Sequence, residues 1–118
     1  MSCDFEDPDL CGWSHDPTHD FDWKRNQFST PSGHAGTGPS FDHTFGEGKG
    51  GFYLYMEASA PRAVNDTARL FSPVYPPEYS GGCFIFWYHM FGSTTEYPLT
   101  KFLKNGIPDH ERYYKYYN

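Results

Sequence analysis

No apolar run in this chain approaches the ~18 residues that a membrane-spanning helix requires. Nothing like a signal peptide precedes Cys3, because Met1-Ser2 leaves no room for a charged region followed by an apolar one. Basic residues are scarce: 9 Lys and Arg face 15 Asp and Glu, a formal charge of −6. The deficit lies in residues 1–93, with 12 acids and 5 bases, whereas residues 94–118 carry 3 and 4. Nucleic-acid binding needs a basic footprint, so that class is excluded. An acidic body suits calcium or a plain solvated surface. Heptads, long helical stripes and internal repeats are missing too, which removes coiled coils and solenoids.

What the chain has instead is aromatic side chains and turn formers. Aromatics make up 20% of it, and 12 Gly and 10 Pro punctuate 118 residues without collagen periodicity. That is a β-rich composition in a chain long enough for one core. Only 3 cysteines are present. In a small aromatic-rich chain they point to an oxidising compartment, and the odd count leaves one unpaired. Cys3 and Cys11 are close enough in sequence to close a local loop, contributing on the order of 2–3 kcal/mol in a chain-entropy account. Cys83 is then either a buried free thiol or a residue whose partner has been lost.

Along the chain, Asp20-Phe21-Asp22-Trp23 alternates with period two, and a short strand is expected around Phe21–Lys24, with both aromatics on one face. Residues 29–51 hold seven glycines and two prolines and read as a long turn-rich loop. Phe52–Glu57 is expected as a strand bounded by Gly51 and Pro61. A second short strand spans Ala68–Pro73, ended by proline. Cys83–Met90 is apolar on both faces and reads as a central strand buried on two sides. After Gly92 the alternation is lost; Pro98 and Asn105-Gly106-Ile107-Pro108 break any long element, leaving an irregular tail with room for one marginal helix or strand.

In order and in kind, these blocks resemble the MAM domain, named for meprin, the A5 antigen (neuropilin) and receptor tyrosine phosphatase mu. The resemblance rests on Cys3-Asp4-Phe5-Glu6, Cys11-Gly12-Trp13, Asp20-Phe21-Asp22-Trp23, Thr37-Gly38-Pro39 with Asp42-His43-Thr44, and Gly51 through Glu57. It continues through Ala68-Arg69-Leu70-Phe71-Ser72-Pro73 and Cys83 through Met90, covering roughly residues 3–93. It implies an all-β fold, a jelly-roll-like antiparallel β-sandwich. It also implies an extracellular, non-enzymatic module of cell-surface ectodomains, acting in adhesion, oligomerisation or recognition of a protein partner, a second copy included. The family continues beyond this point with further strands and a fourth cysteine that pairs with the third. The expectation is therefore a partial domain over 1–93, an incomplete sandwich with Cys83 orphaned, and a divergent tail over 94–118 of alternative-exon or read-through origin. Such a chain exposes apolar surface and unpaired edges, and is expected to be unstable in isolation. Phe5, Trp13, Phe21, Trp23, Leu54, Phe71, Ile85 and Trp87 are the expected core.

Some MAM domains resemble calcium-binding jelly rolls, and for such an ion Glu6, Asp20, Asp22 and Asp42 are the candidate ligands; no other cofactor is implied. The same carboxylates serve equally as surface groups or turn formers. His15 and His19, at i and i+4, would converge on zinc from a helix, but Pro17 sits between them in an aspartate-rich loop and argues against that geometry. His89 is expected as a hydrogen-bonded sandwich residue. No nucleophile elbow or paired acidic motif is present, and Gly46 to Gly51 lacks the spacing of a phosphate loop. Cys83 within an apolar strand is expected to be inert. Asn65-Asp66-Thr67 is an N-glycosylation sequon. Two other readings are a carbohydrate-binding jelly roll, with Tyr53, Tyr55 or Tyr79 stacking on sugar, and a chain with no independent function.

Overall fold

The computed structural model describes residues 2–31, 38–56, 63 and 65–89, and the backbone of residues 103, 104, 107 and 108. Regular structure among them consists of short antiparallel strands: β1 (Ser14–His15), β2 (Lys24–Gln27), β3 (Phe52–Tyr55), β4 (Leu70–Phe71), β5 (Leu103–Lys104) and β6 (Ile107–Pro108). They pair as β1 with β4, β2 with β3 and β5 with β6. Two 3-10 turns, Leu10–Gly12 and Pro77–Tyr79, complete the elements, so the chain is all-β.

The β2–β3 ladder is the longest, with Lys24 opposite Tyr55 and Gln27 opposite Phe52. The aromatic run of β3 begins directly after Gly51, as its composition predicts, and ends at Tyr55 rather than Glu57. Its partner is a correction. The strand expected over Phe21–Lys24 starts at Lys24 and consists of Lys, Arg, Asn and Gln. Burial nevertheless alternates from Asp20 to Lys24, half-buried at Phe21 and Trp23 and exposed at the charged positions. Period two therefore governs the approach to the ladder without the ladder hydrogen bonds.

One side chain ties the N-terminal loop to this ladder. The Arg25 guanidinium lies 3.3 Å from the centre of the Phe52 ring and donates to the backbone oxygens of Phe5 at 2.6 Å and Glu6 at 2.7 Å. The Glu6 carboxylate in turn accepts the Phe52 N–H at 2.7 Å. The loop itself is closed by the Cys3–Cys11 disulfide, with Cα atoms 6.0 Å apart. Leu10 and Cys11 both take left-handed backbone angles, φ 57° and 54°, to make the turn that brings the sulfurs together.

The expected two-sided core is absent from the described residues, where no apolar side chain is fully buried. Phe5, Trp13, Phe21, Trp23 and Leu54 are half-buried, while Phe71, Ile85 and Trp87 are exposed. The Cys83–Met90 reading is overturned across its described part. Residues 83–89 form no strand, Ile85 is 78% and Trp87 71% exposed, and Cys83 is an exposed thiol. A run apolar on both faces is buried only when elements cover both faces. Among the described residues, Phe84 meets Phe86 and Phe86 meets Tyr88 along the segment, Trp13 packs against Phe84, and His43 is stacked on Trp87 at 3.7 Å. Met90 lies outside the described residues.

Candidate functional site

Residues 14–23 fold back on residues 67–71. The register of β1 and β4 places Ser14 opposite Phe71 and His15 opposite Leu70. Backbone bonds extend it, from Asp16 N–H to Arg69 O at 3.1 Å and from Asp20 N–H to Thr67 O at 2.9 Å. Trp23 Nε1–H donates to Ala68 O at 2.9 Å, and the Asp20 carboxylate accepts the Thr67 N–H at 2.7 Å.

Asp16 organises this seam. Its Oδ1 accepts both the backbone N–H and the hydroxyl of Thr18, an Asx turn, and its Oδ2 accepts Arg69 Nε–H at 2.6 Å. Asp16 is 6% exposed, whereas the Arg69 side chain is 48% exposed, so one partner is buried and the other meets solvent. The Thr18 hydroxyl bond above all, then the Arg69 bond, hold the Asp16 carboxyl far below its ordinary range.

The same turn brings His15, His19 and Asp22 together, with a nitrogen from each ring and a carboxylate oxygen all within 4.8 Å of one another. The histidine rings meet edge to face, 5.9 Å between centres. His19 Nδ1 accepts the Arg69 N–H at 2.7 Å, which places its ring proton on Nε2, in a short hydrogen bond to Asp22. His15 Nδ1 lies 3.7 Å from the same Asp22 oxygen. The His19 bond lowers the Asp22 carboxyl below its ordinary range, and the nearby histidines add to that effect. The sequence argument against convergence is thereby corrected. No helix is needed, because the turn from Asp16 to His19, centred on Pro17 and Thr18, folds the two rings to one side.

The four carboxylates expected to share calcium are placed apart. Glu6 accepts the Phe52 N–H, Asp20 holds Thr67, and Asp22 faces the histidines. Asp42, 4% exposed, accepts the N–H groups of Phe45 at 2.9 Å and Gly46 at 3.3 Å, closing a turn. Among the described residues, the convergent set of three such ligand-bearing side chains is His15, His19 and Asp22. Of the tyrosines considered for sugar stacking, Tyr53 and Tyr55 are half-buried and Tyr79 is 53% exposed. Tyr53 donates its hydroxyl to Phe28 O at 2.5 Å and accepts from Asn26 at 2.9 Å, and burial raises its pKa. Asn65 is exposed, with φ 74°.

Comparison with known proteins agrees with this architecture. The chain is 42% identical over 104 residues to the mouse MAM domain-containing glycosylphosphatidylinositol anchor protein 2, covering 76% of this chain and 10% of that protein. It is 40% identical over 93 residues to the human anchor protein 1 of the same name, covering 77% and 10%. Zebrafish Neuropilin-1a is 39% identical over 96 residues, 79% of this chain and 10% of its own length. The chain thus spans about a tenth of the curated relatives it matches. No solved structure gives a significant match. The family model "MAM domain, meprin/A5/mu" matches residues 3–106, past residue 93 where the sequence blocks end. The chain belongs to the MAM domain family, whose fold is a jelly roll.

Proposed function

We propose that the chain is a cell-surface interaction module that recognises a protein partner, in adhesion or receptor assembly, rather than a catalyst. The observation that carries the reading is family membership over residues 3–106, shared with glycosylphosphatidylinositol-anchor proteins and a neuropilin. The surface supports it. Ile85 and Trp87 stand exposed on the 83–89 segment, with Phe84 and Tyr88 partly exposed beside them, a patch of the kind that protein interfaces cover. The Cys3–Cys11 bridge suits an extracellular setting.

Binding of the purified, secreted chain to cells and its self-association in sedimentation test the proposal. Saturable binding or a dimer, weakened by Trp87→Ala, is expected; a monomer that binds no cell surface and no coated bead overturns it. The carbohydrate reading is less well supported, because the Tyr53 hydroxyl is already engaged within the chain. Glycan-array binding lost on Tyr79→Ala would favour it instead. Passage through the secretory pathway is also expected to place an N-glycan on exposed Asn65. The corresponding mass is removed by glycosidase and is absent from Asn65→Gln.

A further inference from the structure

His15 Nδ1 is buried and has no hydrogen-bond partner, an arrangement that native structures seldom leave unexplained. It lies 3.7 Å from an Asp22 oxygen, too far for a hydrogen bond, and that same oxygen contacts His19 Nε2. Zinc holds nitrogen and oxygen donors at about 2.0–2.2 Å, so two donors on one tetrahedral edge stand about 3.3 Å apart. The His15–Asp22 separation needs only a small closure to reach that value. The His19–Asp22 pair must open, and Asp22, whose side chain is 63% exposed, is free to swing outward. His19 is nearly enclosed, at 4% side-chain exposure, and His15 intermediate at 30%, so two ligands are held while the third adjusts.

We infer that His15 Nδ1, His19 Nε2 and the Asp22 carboxylate form a binding site for a divalent transition-metal ion of the zinc class, on the seam between residues 14–22 and β4. Two imidazoles and one carboxylate match zinc, copper or nickel; calcium, which takes oxygen ligands, does not fit. Solvent supplies the fourth position through the exposed Asp22 side.

Coordination has a local consequence. A metal on His19 Nε2 displaces the ring proton to Nδ1, where it meets the Arg69 N–H that Nδ1 now accepts. That backbone bond must break, so loading the site loosens β4 at Arg69. The ion also replaces the short proton bridge between His19 and Asp22.

The test uses the tag-free chain carrying Cys83→Ser, because the exposed Cys83 thiol would itself take zinc. Calorimetry with Zn²⁺ should give one equivalent. Nuclear magnetic resonance should move the imidazole signals of His15 and His19, leave those of His34, His43, His89 and His110 in place, and accelerate exchange of the Arg69 amide. His15→Ala and Asp22→Asn should each weaken binding by roughly tenfold or more, and Ca²⁺ should leave the two imidazoles unmoved. Asp22→Asn keeps an acceptor for His19, so it probes the ligand with little cost to folding. No saturable binding, unchanged affinity in both variants, or equal affinity in the urea-unfolded chain overturns the assignment.

Discussion

Asp16 is the residue on which the seam depends, and its energetics set a pH dependence. Its carboxyl is held below the ordinary value of 3.8 by Thr18 and Arg69. A depressed carboxylate stabilises the fold fully above its unfolded pKa, and that contribution is lost as pH falls below it. Acid unfolding should therefore include a component below pH ~4 that Asp16→Asn removes, while the variant is less stable at neutral pH. Circular dichroism against pH at both sequences checks this; identical acid profiles would refute it. Gly51 offers a second single-residue test. An added Cβ there would strike the Asp42 carboxylate, which lies against the Gly51 backbone while it caps Phe45 and Gly46. Gly51→Ala should cost about 1–3 kcal/mol by overpacking, read as a lowered midpoint in urea. Gly48→Ala meets no such neighbour, and any cost there comes from its φ of 73° alone.

At the scale of elements, Arg25 on β2 and Trp23 just before it join segments that the strand ladders do not. Trp23→Phe keeps an aromatic side chain but removes part of the half-buried indole together with the bond to Ala68 O, and should cost about 1–3 kcal/mol. Arg25→Ala should loosen the loop of residues 3–11, leaving the Glu6–Phe52 bond as its tie to β3, without opening the β2–β3 ladder. Faster amide exchange at Phe52 and faster proteolysis between Cys3 and Cys11 would show it; unchanged protection at both would not fit. These links also explain what could be read from sequence. β3 was legible because aromatic residues following glycine have one obvious home. β2 was not, since Lys-Arg-Asn-Gln carries no strand propensity and is a strand only because β3 offers it a ladder. β1 spans two residues, below what periodicity detects, whereas β4, also two residues long, lies inside the strand expected over Ala68–Pro73. The 83–89 segment misled for the opposite reason. Its composition is that of a covered strand, but composition records what a segment needs and not what lies beside it. The histidine pair escaped because i, i+4 spacing was judged on a helix, whereas an Asx turn achieves the same approach.

For the whole molecule, the balance of buried and exposed groups is unusual. The buried polar side chains among the described residues are Asp16, Thr30 and Asp42, at 4–6% exposure, and the large rings are at best half-covered. Polar connections, not a dry apolar centre, hold the described segments together, and it is to the exposed aromatic surface that we assign association. Cys83 gives this a covalent reporter. Being exposed and the odd one of 3 cysteines, it should react with a maleimide in the native chain about as fast as in urea. Slow native labelling would mean that another surface covers it. Under oxidising conditions it should yield a disulfide-linked dimer or a mixed disulfide, absent from Cys83→Ser. The Cys3–Cys11 bridge has a mechanical side as well. Tension arriving at Cys3 from the N-terminal direction passes through sulfur to Cys11 and on into β1, so residues 4–10 stay slack. Phe5 and Glu6, the two points that Arg25 grips, sit inside that slack segment. A pull at this end is thus carried past the Arg25 clamp, and the grip on β3 is shielded from being peeled away.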